Sequence, residues 1–405
     1  MSMKYVIVGG SIAATTALNV IRVNSPDAEI QVVADEAMPF YYRALIPFLL
    51  DKSRLVDEIL FTEQPTDDER VHFSHDRCIG VDPEQRVIGL ASGSTLPYDK
   101  LLLAAGSSSL TPDLAGVNSE GVFTLRNMDE ALRVREYLQG CRNAVVVGGA
   151  LAGIKMAEAL HRTGVQVTVV EQLPHILPFI ADTETADRMS ERLRRAGIEI
   201  LTQESAEEIL AADNKATGVR LSSGKRVTAD LVLLMTGVRP NIEFLADSGI
   251  AVDQAVLTNR EMQTSVPDIY AAGDMVQFHD AVIDQDVVSA LWGNAVHMGR
   301  TAGFNMSGIQ AYVPPLLSSL NSTEIAGLPI ISAGLLHTQS DRYAVYTEAR
   351  GENYRKLIFD QDRLVGMIFL GDVSRAGVYT NLIRNRIPLG ERRDAVLREV
   401  MAGIQ

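Results

Sequence analysis

The strongest periodicity in this 405-residue chain is a short apolar run that stops at a glycine. Residues 5–8 run into Gly9 and Gly10, residues 145–147 into Gly148, 101–105 into Gly106, and 269–272 into Gly273. Short β-branched runs without polar alternation are the mark of strands covered on both faces, as in parallel sheets. After the first run, residues 12–23 have helical spacing and residues 29–33 read as a second strand. After 145–147 an amphipathic helix follows, and residues 165–170 close a second unit of the same plan. Two β-α-β units in one chain form an internal repeat. Helical spacing returns over 182–196, and again from Ala290 through Trp292, Ala295 and Gly299 to Met306, with Trp292 expected in the core and a place beside a flat ring system as its alternative. Further strands are predicted over 199–201, 218–221 and 231–235. From about Tyr312 the style changes. Strands at 342–348, 354–359 and 364–370, joined by the turns Gly351-Glu352-Asn353 and Asp360-Gln361-Asp362, predict an antiparallel meander followed by helices.

The glycines give the two repeats a chemical meaning. A strand that enters a turn of small residues and leaves it as a helix lets backbone N–H groups and the positive helix end approach a pyrophosphate. In the second unit Gly148, Ala150 and Gly153 hold the three small positions, with alanine where glycine is usual. The acid Glu171 closes the next strand, where a carboxylate accepts the hydroxyls of an adenosine ribose and repels a 2′-phosphate. Gln172 follows, with no arginine to receive that phosphate, so NAD(H) is expected over NADP(H). In the first unit the small positions are Gly9, Ser11 and Ala14, with Gly10 beside them, and Glu36 or Asp35 stands at the ribose position, Glu36 being preferred. The bland reading of either unit is an ordinary buried β-α-β turn. Ala105 and Gly106 mark a close passage of the chain by a bound dinucleotide, and Gly273-Asp274 offers a carboxylate to a polyol hydroxyl. The segment AMPFYYRALIPFLL, too irregular for a helix start, is either a core loop or a cradle for a flat ring through Tyr42 and Arg43. Gly237 opens the turn GVRPN, where the chain is expected to cross between domains. The predicted class is α/β, with two Rossmann-like dinucleotide-binding domains and a C-terminal α+β domain.

Composition narrows the partners. A hydrophobic fraction of 46% with 22% charged residues allows two or three cores. The net charge of −14 argues against nucleic acid and anionic membranes. No apolar run nears the ~20 residues of a membrane span, and the N-terminus leads straight into a strand, which leaves no room for a leader. Cys78 and Cys141 are far apart, so no disulfide framework or metal site is expected, and a reducing, cytoplasmic setting is the simplest.

Taken in order, VGGSIAA, PFYYR, YDKLLLAAGS, VVVGGALAG with Glu171, LLLMTGVRPN and IYAAGDM resemble the FAD-dependent pyridine nucleotide-disulfide oxidoreductase superfamily. The likeness is to its branch of NADH oxidases, nitrite reductase flavin portions, and rubredoxin and ferredoxin reductases. The resemblance implies an FAD domain at 1–112 and 242–312, an NAD domain at 113–241 and a C-terminal interface domain at 313–405, through which the chain can pair with a second copy. It also implies that Gly9, Gly10, Ser11, Ala14, Glu36, Arg43, Ala105, Gly106, Gly273 and Asp274 serve FAD, with Asp274 on the ribityl chain. Gly148, Ala150, Gly153, Glu171 and Gly237 would serve NAD. The departures are as informative. The family's disulfide reductases carry a redox cysteine pair on the helix after the first strand-acid unit, and its coenzyme A disulfide reductases and many NADH oxidases a single cysteine just after the aromatic loop, whereas this chain has Arg43-Ala44-Leu45 there, which disfavours thiol-disulfide chemistry. Lys155 stands where many relatives have a glutamate near the nicotinamide. Arg43 and Lys155 are therefore candidates for tuning the flavin, and no other catalytic residue is expected. The implied activity is electron transfer between NAD(H) and an iron-sulfur carrier or larger redox complex through flavin. The alternatives are direct reduction of O₂ by an NADH oxidase and a non-catalytic redox-sensing module.

Overall fold

The computed structural model describes residues 3–38, 40–62 and 64–402. Pro39, the first residue of PFYYR, lies outside the described residues. The helices are α1 (Ile12–Asn24), α2 (Pro47–Leu50), α3 (Met128–Tyr137), α4 (Leu151–Arg162), α5 (Thr183–Arg195), α6 (Trp292–Met306), α7 (Ala376–Arg384) and α8 (Arg393–Ala402). The chain forms two compact units. One contains the residues up to Leu45, Leu55–Ser108 and Val238–Ser318; the other contains Ile46–Arg54, Ser109–Gly237 and the chain from Ser319 onward. The units meet along the chain at 108/109, 237/238 and 318/319, and residues 46–54 belong to the second unit.

The first unit is built on a five-stranded parallel sheet in the order Ile269–Ala271, Lys100–Leu103, Lys4–Val8, Glu29–Ala34, Val71–His75. Its central strands are covered on both faces, which is why they read as unbroken apolar runs: Val6, Ile7, Leu101, Leu102 and Leu103 are all buried. Each such side chain contributes about 1.5–3 kcal/mol on leaving water. Helices α1 and α6 lie backbone to backbone, since a methyl group at Gly299 would come within 2.2 Å of the Ala13 carbonyl oxygen. The inward stripe of α6 is Ala295, Met298, Ala302 and Met306. Trp292, expected in the core, is instead 51% exposed: it is the first residue of the helix, one turn ahead of the stripe.

The second unit repeats the plan. Its parallel sheet runs Val122–Thr124, Leu231–Leu234, Asn143–Val147, Gln166–Glu171, Glu199–Thr202. Four strands occupy the same places in both sheets and appear in the same chain order; only the outermost strand comes from a different part of the chain. Each sheet is also followed by a three-stranded antiparallel piece after its third strand, Cys78–Asp82 with Val87–Leu90 and Thr95–Pro97 in one, Ala206–Ala212 with Lys215–Leu221 and Arg226–Thr228 in the other. The aromatic segment, read as irregular, ends in a one-turn α2 that packs against α3 and α4 with Leu49 and Leu50 buried. Asp51, just past α2, accepts a bond from Arg162 at the end of α4.

The C-terminal sheet has the order Leu320–Ile325, Leu328–Gly334, Arg363–Leu370, Asn353–Asp360, Tyr343–Arg350, all antiparallel. The meander accounts for the last three strands in chain order. Two more precede it, joined through Ala326 and Gly327, and α7 packs on the sheet with Tyr379 and Ile383 buried.

Candidate dinucleotide sites

The two glycine turns are superposable in their bonding. Gly9 N–H donates to the Val33 carbonyl at 2.7 Å, and Gly148 N–H donates to the Val170 carbonyl at 2.8 Å. Ala104 N–H meets the Val8 carbonyl at 2.8 Å, and Met235 N–H meets that of Val147 at 2.7 Å. Both glycines have positive φ, +110° and +115°, and a methyl group on either would lie 2.2 Å from a carbonyl oxygen, that of Ala104 or Met235. Only glycine fits such a crossing. Gly153 is tighter still, with Cβ space only 2.0 Å from the Gly148 carbonyl oxygen.

The helices leaving these turns, like α2, α6 and α7, start with no side-chain cap and no first-turn acid. α3 and α5 begin with side-chain caps from Asn127 and Asp182 and carry acids in the first turn. α1 and α4 begin at Ser11 and Ala150 with no side-chain cap and no acid in the first turn. Their leading N–H groups keep the positive end of the helix free, which is what a pyrophosphate requires. The residues present therefore fit two dinucleotides.

Around the first turn, Arg43 donates from Nε to the Ser11 hydroxyl at 3.0 Å and pairs with Glu36. Tyr41 donates to the other Glu36 oxygen at 2.6 Å. Burial works against the Arg43 cation, but Tyr41, Glu36 and Asp274 outweigh it and raise its pKa above the ordinary value. Arg43 is thus held to Ser11 of the first glycine turn and to Glu36 together, while Asp35 is exposed. Tyr42, also read as a ring cradle, is 37% exposed and meets Phe61 edge-on, with centroids 4.6 Å apart. Asp274 Oδ2 accepts the Ser107 hydroxyl at 2.9 Å. Asn241 binds both sides of the Ala105-Gly106 passage: its amide donates to the Ala105 carbonyl at 2.8 Å and its backbone N–H to that of Gly106 at 3.0 Å. Gly273 lies against Ala13 of α1, and Ala14 is buried in that helix.

Around the second turn, buried Glu171 accepts the Gly149 N–H at 2.7 Å and the Leu173 N–H at 2.9 Å. Gly149 was not among the sequence candidates, yet a methyl group there would come within 3.0 Å of the Glu171 Cβ; the doubled glycine was the available signal. At the first site Tyr41, Ser107 and Asn241 were missed as well, because only the folded chain brings them to Glu36, Asp274 and Ala105. Gly237 accepts the Leu110 N–H at 2.9 Å through its carbonyl. Lys155, expected near the flavin, has its ammonium on Glu158 at 2.7 Å and on the Glu324 carbonyl at 2.8 Å. Among the described residues there is no cluster of His, Cys, Asp and Glu able to hold a metal ion, and no helix long and apolar enough to cross a membrane.

Residues 3–299 match the family model described as pyridine nucleotide-disulphide oxidoreductase. The chain belongs to that family. Residues 320–387 match the model of the rubredoxin NAD+ reductase C-terminal domain. An NADH oxidase of Methanocaldococcus jannaschii is 30% identical over 399 residues, covering 91% of this chain and 88% of the relative. The epsilon subunit of an NADH-dependent phenylglyoxylate dehydrogenase from Aromatoleum evansii is also 30% identical, over 98% of this chain and 97% of the subunit. Among solved structures, an NAD-dependent persulfide reductase from A. fulgidus superposes with a TM-score of 0.90 at 26% identity, over 96% of this chain and 78% of the other. Membership makes this chain an FAD-dependent NADH oxidoreductase, with FAD and NAD(H) as its cofactors.

Proposed function

We propose that this member of the family passes electrons between NAD(H) and a redox partner protein, either an iron-sulfur carrier or a larger oxidoreductase complex. The observation that carries the reading is the pair of equivalent phosphate turns, at Gly9 and Gly148, in a chain with no cysteine at residues 43–45. Bound flavin supplies hydride acceptance from NADH and return of the electrons to an acceptor. The protein binds and orients. In this reading the turn at Gly9, Gly10, Ser11 and Ala14 takes the FAD pyrophosphate, with Arg43 as its counter-charge and Glu36 on the ribose. Ala105, Gly106, Gly273 and Asp274 line the rest of that cofactor. Gly148, Ala150, Gly153, Glu171 and Gly237 hold NAD(H). No side chain is needed as acid, base or nucleophile, because hydride transfer depends on placing two rings within about 3.5 Å.

Thiol-disulfide chemistry has no place in this reading. Cys78 is buried, and burial pushes its thiol up to about 11; burial and Asp230 raise Cys141 as well. Thiolates, the reactive form, are scarce under those conditions. Two free cysteines also suit a reducing cytoplasm, and the C-terminal domain is the surface we assign to self-association. FAD is assigned to 1–112 and 242–312, and NAD to 113–241.

The FAD-loaded chain, mixed with NADH, tests the proposal. Rapid reduction of an artificial dye with slow oxygen use supports a carrier. Fast oxygen consumption by the chain alone supports the second reading, an NADH oxidase, which the Methanocaldococcus relative favours. A flavin that NADH does not bleach removes both and leaves a non-catalytic sensor.

A further inference from the structure

Lys155 and Glu158 are one turn apart on α4, the helix whose first residues form the second phosphate turn. Glu158 is 8% exposed, an expensive place for a carboxylate unless it is fully engaged. It is engaged twice: one oxygen takes the Lys155 ammonium at 2.7 Å, and the other takes the Ala326 N–H at 2.8 Å. Lys155 also donates to the Glu324 carbonyl at 2.8 Å. From α5, Arg192 Nε donates to the Ala326 carbonyl at 2.6 Å. Both backbone polar groups of Ala326 are therefore held by side chains of α4 and α5, and α4 is the helix that leaves the Gly148 turn. Ala326 itself has φ +47°, followed by Gly327 at +75°. A non-glycine residue in that region persists only where its surroundings over-determine it. The turn between Leu320–Ile325 and Leu328–Gly334 is thus gripped rather than merely adjacent.

We propose that Glu158 and Lys155 are positioning residues for the dinucleotide, clamping the phosphate-turn helix to the Ala326–Gly327 hairpin so that NAD(H) binding and the order of that hairpin are coupled. The inference rests on the reading that the Gly148–Gly153 turn holds NAD(H). Glu158 lies seven residues past Leu151, about 10 Å along the helix axis at 1.5 Å per residue. A shift of α4 by a fraction of an ångström moves the N–H groups that face the pyrophosphate, and small displacements of that kind are costly to binding and orientation. Lys155 then serves as the charged partner of the buried Glu158 side chain, at 2.7 Å.

The test uses the FAD-loaded protein. In Glu158→Gln, the NAD+ dissociation constant and the KM for NADH are expected to rise on the order of tenfold, as for loss of a charged hydrogen bond. The kcat should stay within about twofold of wild type. Lys155→Met should show the same split more weakly, and Lys155→Arg should restore it. If Glu158→Gln does not accumulate folded, Lys155→Met and Lys155→Arg decide. Hydrogen exchange at the Ala326 amide should slow when NAD+ is added to wild type and not in Lys155→Met. Unchanged KM in the variants, or Ala326 exchange indifferent to NAD+, overturns the proposal. Gly148→Ala separates the two levels. If it leaves NAD+ binding intact, the reading of the turn has failed. If it abolishes binding while the Lys155 and Glu158 variants bind NADH like wild type, only the clamp has failed.

Discussion

The backbone N–H of Gly149 donates to Glu171 Oε2 at 2.7 Å, so the second glycine turn and the acid that closes the neighbouring strand are fixed to each other. The second oxygen is held by the Leu173 N–H at 2.9 Å. A carboxylate oxygen has further lone-pair capacity, so both remain able to accept ribose hydroxyls. Replacing Glu171 with arginine removes the acceptor and supplies a cation for a 2′-phosphate. Loss of charge-assisted bonds of this kind costs about 1.5–3 kcal/mol, so kcat/KM for NADH should fall on the order of tenfold or more, with the ratio moving toward NADPH. Steady-state kinetics with both nucleotides measure this. An unchanged ratio would remove Glu171 from the ribose.

The equivalence of Gly9 and Gly148 allows the two nucleotides to be separated. Each glycine would place a new methyl group 2.2 Å from a carbonyl oxygen, well inside contact distance. Gly9→Ala should purify without the yellow colour of flavin. Gly148→Ala should keep its flavin while NADH-driven dye reduction falls on the order of a hundredfold, as when reacting groups are misplaced. Flavin absorbance of the purified variants and an NADH titration provide the check, with thermal melting to confirm folding. Loss of flavin in a folded Gly148→Ala protein would contradict the assignment.

These turns were legible in the sequence because their signals are local. A β-branched run, a glycine and an acid one β-α-β unit later are set by backbone sterics and by strands buried on both faces, as Val145 to Val147 and Glu171 illustrate. The clamp on Ala326 was not legible. Its turn is entered by an alanine in a left-handed conformation, so the usual glycine or asparagine signal begins one residue late, and the two strands it joins went unread. Nor does spacing reveal that Lys155 is drawn to Glu324, because that bond spans 169 residues. The antiparallel pieces at Ala206–Ala212 and Cys78–Asp82 were blurred for another reason. They mix exposed and half-buried positions, with irregular registers at Ala206/Glu208 and Cys78/Gly80 that break the alternation a strand is read by.

The placement of the cysteines gives a further prediction. With burial pushing the Cys78 thiol up to about 11 and Cys141 also raised, neither is a competent thiolate at neutral pH. A Cys78→Ala, Cys141→Ser double variant should retain NADH:dye turnover within about twofold, since substitutions away from the chemistry seldom cost more. Wild-type turnover should likewise resist alkylating reagents. A flavin-loaded double variant that has lost turnover would bring thiol chemistry back into the mechanism.

Asp182 caps α5 and ties it to the C-terminal sheet. Its Oδ1 accepts the Thr185 N–H at 3.0 Å, and its Oδ2 accepts the Tyr354 hydroxyl at 2.6 Å and the Lys356 ammonium at 3.1 Å. Burial pushes the Asp182 carboxyl up, but the bonds from Tyr354 and Thr185 and the Lys356 charge outweigh it and hold the group below the usual carboxylate range. Burial, then the bond to Asp182, pushes the Tyr354 phenol above its ordinary value. Because the folded pKa of Asp182 is depressed, its stabilisation is fully present above the unfolded aspartate value of ~4 and is lost as pH falls through the lower folded value. For Tyr354 the folded pKa is raised, so its contribution is complete below the unfolded value of ~10 and disappears as pH rises through the folded one. Asp182→Asn should therefore destabilise the second unit by about 3 kcal/mol at neutral pH, as breaking a buried pair does, and should flatten the acid limb of its stability curve. Tyr354→Phe, which removes one bond and keeps the ring, should cost about 1–2 kcal/mol and flatten the alkaline limb instead. Urea unfolding of both variants across the pH range measures the two limbs separately, and an acid limb as steep in Asp182→Asn as in wild type would show that other carboxylates govern it.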